Sequence, residues 1–140
     1  MSASEIVATL LRELVSLGDI CLVIGPNEAV CEAFVDPGSM DFRLDGTFAT
    51  MENGPWHIHM DMGRVCKITF EVKPDMAHNS DQLSYSVRFL DAAGTALLRA
   101  FFLAMYDENG ALQPQRVQQY EALRAHGGNR EVIVCQGENT

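Results

Sequence analysis

No apolar stretch in this chain is long enough to cross a bilayer. The N-terminal segment, MSASEIVATLLRELVSL, mixes acids among its apolar residues and lacks the basic start of a secretory signal. Cations are scarce: 10 Lys and Arg stand against 19 Asp and Glu, a net charge of −9 at pH 7. They are also scattered, so there is no basic patch for nucleic acid or an anionic membrane surface. Cysteine is sparse and has no C-x-x-C spacing. Cys21, Cys31, Cys66 and Cys135 would permit two disulfides, but the pattern fits an intracellular chain with reduced thiols better. There is no G-x-S-x-G, no phosphate-cradling glycine loop and no H-E-x-x-H. Repeats and low-complexity segments are missing too. These absences leave one domain of ordinary globular balance, 140 residues with 47% apolar and 21% charged, enough for a real core. A cytoplasmic protein that is not an enzyme is the expectation.

What is present reads as a helix, a run of strands and a second helix. Ser2 begins S-A-S-E, a capping box with Glu5. Ile6, Val7, Leu10, Leu11, Leu14 and Val15 follow at helical spacing, predicting an amphipathic helix over 2–17 that Gly18 ends. From 19 to 106 the signal is strands: ICLVIG, AVCEAFV, DFRLDGTFATM, PWHIHMDM, RVCKITFEV, LSYSVRFL and TALLRAFFLAMY. Turns are expected at Pro26-Asn27, Asp36-Pro37-Gly38, Asp45-Gly46 and Asp91 to Gly94, with PDMAHNSDQ as a polar loop. Pro114 opens a second helix over 114–126, with Val117, Tyr120 and Leu123 as its buried stripe and Gly127-Gly128 as its end. The fold class is therefore α+β: one domain over 1–128, an antiparallel meander of about six to eight strands with a helix at each end. In the tail, 129–140, the β-prone EVIVC either adds to a sheet edge, pairs with another chain, or is loose.

The chemistry concentrates in GPWHIHMDM, residues 54–62, which holds two of the four histidines and the only tryptophan. On a strand, His57, His59 and Asp61 share one face, and Trp56, Ile58, Met60 and Met62 share the other. Three readings stay open: a ligand pair, one ligand with a bystander, and two ordinary strand residues. A cupin-type metal site would need a glutamate about four residues after the second histidine; positions 63 and 64 are Gly and Arg. A metal-dependent enzyme using His57, His59 and Asp61 would need a further ligand from elsewhere. Cys66 as a nucleophile beside either histidine is a weaker reading than a buried inert thiol.

The order FRLDGTF (Phe42 to Phe48), GPWHIHMD, RVCKITFEV, SVRFLDAAGTALLRAFF and PQRVQQYEALRAH resembles the haem-utilisation carrier family of the HutX/ChuX type, whose fold also forms each half of HemS-type haem proteins. The resemblance spans 20–126. It implies cytosolic haem binding, trafficking and hand-over by a homodimer whose two sheets form a saddle-shaped cleft. It also implies His57 as the ligand of the haem iron. His59 then becomes a bystander or an outer partner. A neutral imidazole suits haem iron, Trp56 and Phe48 could supply apolar surface for the macrocycle, and the propionates call for cations, for which Arg43, Arg64, Lys67 and Arg88 are the basic residues on these strands, Arg43 and Arg88 being taken into the expected site. The chain departs from the family in its shorter helical start, its extra tail, and the lack of any histidine before His57. Ligation is then by a single histidine. The alternatives are the same fold holding a non-haem apolar ligand or a protein partner, and the H-x-H metal enzyme. Haem degradation, as in some relatives of the broader group, would need an external electron donor and an open distal side.

Overall fold

The Ser2 hydroxyl accepts from the Glu5 amide at 3.2 Å, and the Glu5 carboxylate accepts from the Ser2 amide at 2.7 Å. This capping box opens α1 (Ala3–Leu17), whose Val7, Leu10, Leu11, Leu14 and Val15 form one buried face. The structure is a computed structural model that describes residues 2–25, 28–75 and 82–126, and the backbone of 132–134. Replacing Ser2 with alanine removes one half of the box, and a loss of about 1 kcal/mol is expected. Urea unfolding should show it as a lower midpoint at unchanged slope.

The strands are β1 (Ile20–Ile24), β2 (Cys31–Val35), β3 (Asp41–Asp45), β4 (Phe48–Asn53), β5 (Trp56–Asp61), β6 (Lys67–Pro74), β7 (Leu83–Leu90), β8 (Ala96–Phe102) and β9 (Val132–Val134). A 3₁₀ turn (Met62–Arg64) follows β5, and α2 (Pro114–Ala125) follows β8. The α+β class and the two helices are as expected, and the antiparallel meander comes in two parts. One sheet has the order β2-β1-β8-β7-β6-β9, and β3-β4-β5 form a second sheet of their own. The first sheet closes through a long-range pairing, Leu22 opposite Ala100 on β8. The tail strand β9 lies antiparallel along β6, with Ile133 opposite Ile68. The predicted Asp45-Gly46 turn joins β3 to β4, Gly46 taking a φ of +63° that glycine adopts without strain. At the β7–β8 turn the Asp91 carboxylate accepts from the Ala93 and Thr95 amides, both at 2.9 Å. The expected Pro26-Asn27 turn, the Gly127-Gly128 stop, His78 and Cys135 lie outside the described residues.

Alternation decides which residues reach the core. Leu22, Ala100, Val87 and Phe70 stand in one cross-strand row on the inner face of the large sheet. Ala49, Met51, Ile58 and Met60 are buried on the inner face of the small one. Helix α1 packs against both β1 and β3, so the two sheets share a single core.

Helix α2 is fastened by two side chains. Tyr120, 1% exposed, meets Phe70, Tyr85 and Phe102 edge-on at 5.9, 5.3 and 5.2 Å between ring centres. Arg116 is buried over the Phe102 ring and donates to the carbonyls of Asp19 at 2.8 Å and Leu103 at 3.0 Å. Burial pulls its guanidinium pKa below the ordinary value. Arg116→Met keeps the volume but takes the guanidinium donor from the Leu103 carbonyl, while the Asp19 carbonyl keeps the Leu103 amide at 2.8 Å. A loss of about 2 kcal/mol is expected in urea unfolding; a change within about 0.5 kcal/mol would mean that solvent replaces the contact.

Candidate functional site

The outer face of the small sheet is set by register. Three cross-strand rows lie on it: Asp41, Glu52 and His57; Arg43, Thr50 and His59; Asp45, Phe48 and Asp61. His57 and His59 are exposed, while Ile58 and Met60 between and beyond them point inward and are buried. The two imidazole centres are 4.7 Å apart. His59 Nδ1 is hydrogen-bonded to Thr50 Oγ1 at 2.8 Å, and Thr50 is only 4% exposed. Arg43 pairs with Glu52. That hydrogen bond, and then the charge behind it, hold the Glu52 carboxyl below the usual carboxylate range. Asp61 accepts from the Gly63 amide at 3.0 Å and so caps the 3₁₀ turn. The face carries the carboxylates Asp41, Asp45, Glu52 and Asp61 against the single guanidinium of Arg43.

Four of the expected site residues, His57, His59, Arg43 and Phe48, therefore come together. Trp56 does not join them: it stands on the opposite face and packs half-buried against the core. Arg88 is on β7 of the other sheet, its Nε 3.4 Å from Glu71 Oε1 and its guanidinium over the Phe101 ring. Arg64 and Lys67 are exposed, near the start of β6. Asp61 does not complete a metal centre with the two histidines, since among the described residues no three His, Cys, Asp or Glu side chains are placed to hold an ion. His126 is bound to Glu13 at 2.8 Å. Cys21, Cys31 and Cys66 are free, and Cys66 is half-buried rather than buried.

A second surface was not expected from the sequence. On the outer face of the large sheet Cys21, Val23, Glu32, Phe34, Arg99 and Phe101 line a groove of about 650 Å³. Phe34 is 61% exposed and Val30 51%, both unusual for large apolar residues. Arg99 stands directly across from Arg88 and donates to the Gly25 carbonyl at 2.6 Å. The sequence hides this groove because ICLVI is apolar on both sides, so alternation gives β1 no outer face.

A protein-family model matches residues 8–127, most of the chain. No protein of curated function matches it by sequence. Among solved structures, ChuX superposes with a TM-score of 0.72 at 13% identity, over 91% of this chain and 76% of its own. A protein of Agrobacterium tumefaciens does so at 0.67 and 23% identity, over 92% of this chain and 70% of its own. PhuS, a heme-binding protein from Pseudomonas aeruginosa, gives 0.65 at 13% identity; the match covers 86% of this chain but only 33% of PhuS. At such identities the superpositions establish the fold, and with the family match they place the chain: it belongs to the ChuX/HemS-like fold family.

Proposed function

We propose that this chain is a cytosolic, homodimeric haem carrier in which His57 alone ligates the iron. The observation that carries the reading is the exposed His57 imidazole on the outer face of β5, in a fold shared with ChuX and PhuS, both described as heme-binding. Phe48, 45% exposed on the same face, offers apolar surface to the macrocycle. Arg43 is the cation at hand for a propionate, once Glu52 releases it. Arg88, on the large sheet, joins a propionate only if the dimer brings that sheet to the haem edge. No histidine precedes His57, which argues for one protein ligand with water opposite. Bound ferric haem should then be high-spin in its absorption and electron paramagnetic resonance spectra. A low-spin bis-histidine spectrum would contradict single-histidine ligation.

A second reading draws support from the groove on the large sheet. Its exposed Phe34 and Val30 suit an apolar ligand, a protein partner or a second copy of the chain. Light scattering on Phe34→Glu separates these. Conversion of a wild-type dimer to a monomer assigns the groove to the second copy. A dimer left intact assigns it to another occupant.

A further inference from the structure

The outer face of β3-β4-β5 is electrostatically suited to a cation. Asp41 and Glu52 share a row with His57, Asp45 and Asp61 share the row beyond His59, and Arg43, in the His59 row between them, is the only opposing charge on the three rows. The field over the two imidazoles is therefore negative. That favours a positive ion more than it favours a dianionic macrocycle.

Geometry points the same way. Two imidazoles on one tetrahedral ion have metal–nitrogen bonds of about 2.0–2.1 Å, which sets the ring centres about 5 Å apart. In this sheet they stand at 4.7 Å, tilted by 59°. His59 is already oriented by Thr50, the kind of outer hydrogen bond that fixes the tautomer of a ligating imidazole. With an ion on Nε2, the Nδ1 proton is donated to the Thr50 hydroxyl. Glu52, directly across from His57 and paired with Arg43, puts a carboxylate in the same row.

We infer that His57 and His59 together chelate one divalent transition-metal ion of the zinc type. Solvent completes its coordination and Glu52 supplies neighbouring charge. Imidazole selects such an ion over magnesium, which prefers oxygen ligands and keeps its waters. The inference does not depend on the haem reading. It gives His59 a role that single-histidine haem ligation leaves vacant, and it makes zinc and haem compete for His57.

The test is a titration of the whole chain with zinc alone, by calorimetry and by the histidine ring signals in NMR, with magnesium as control. Saturable binding of one ion is expected, with the His57 and His59 ring signals moving together and magnesium moving neither. Either His57→Ala or His59→Ala should weaken binding at least about tenfold, and Glu52→Gln severalfold, on the scale of outer-shell losses. Both histidines are exposed, so far-ultraviolet circular dichroism should confirm that the variants remain folded. Absence of saturable zinc binding, binding kept in both histidine variants, or binding lost instead in Cys31→Ser would each overturn the inference. His59→Ala keeps the haem reading testable by itself: it should weaken zinc binding by that factor and leave hemin uptake intact.

Discussion

Tyr120→Ala is expected to cost about 3–5 kcal/mol, a large part of the stability of a domain this size. The ring is enclosed by three aromatic partners, and its hydroxyl donates to the Ser86 carbonyl at 2.8 Å. Alanine leaves an aromatic-sized void that β6, β7 and β8 cannot close, because their hydrogen-bonded ladders fix their spacing. It also removes the hydroxyl's hydrogen bond to that carbonyl. Tyr120→Phe isolates that second contribution and should cost about 1 kcal/mol. Urea unfolding of the two variants checks both figures. If alanine costs under about 1 kcal/mol, α2 is not docked on the large sheet as described.

Gly18→Ala should be nearly as damaging, although it adds a single methyl group. Gly18 ends α1 at φ +68°, where its amide donates to the Leu14 carbonyl at 3.1 Å. An added Cβ would lie 2.3 Å from the Pro37 nitrogen and 2.4 Å from its Cα. The obstacle is backbone, so it cannot rotate away. Left-handed strain and the clash together predict about 3 kcal/mol or more. The measurement is the thermal midpoint, compared with Gly46→Ala. Position 46 has a similar φ of +63° but nothing within 4 Å of an added Cβ. The Gly46 variant pays the conformational strain alone. Equal losses at the two positions would show that the approach of the Asp36-Pro37 turn to α1 is not as close as described.

Features written in local chemistry were legible in the sequence. The Ser2–Glu5 box, Pro114 at the start of α2 and the Asp45-Gly46 turn each depend on a few consecutive residues. The separation of His57 and His59 from Trp56 followed from strand alternation alone. Long-range pairing was not legible. Nothing local tells β1 to pair with β8, or β3-β4-β5 to leave the large sheet, since both join or part segments far apart in the sequence. The same limit applies to the site. Arg43 and Phe48 reach the histidine face because cross-strand register puts them there, whereas Arg88, as basic and as strand-borne, goes to another sheet. Arg116 illustrates a different failure. An arginine in a helix reads as solvent-facing, and only the folded chain brings the Asp19 and Leu103 carbonyls within its reach.

Hemin titration of the purified chain, followed by its Soret absorbance, tests the central claim most directly. The variants to run beside it are His57→Ala and His59→Ala. Saturable uptake with a sharp Soret band is expected, lost in His57→Ala and kept in His59→Ala. Uptake that never saturates in the wild type, or that survives the loss of His57, would contradict haem ligation by this residue.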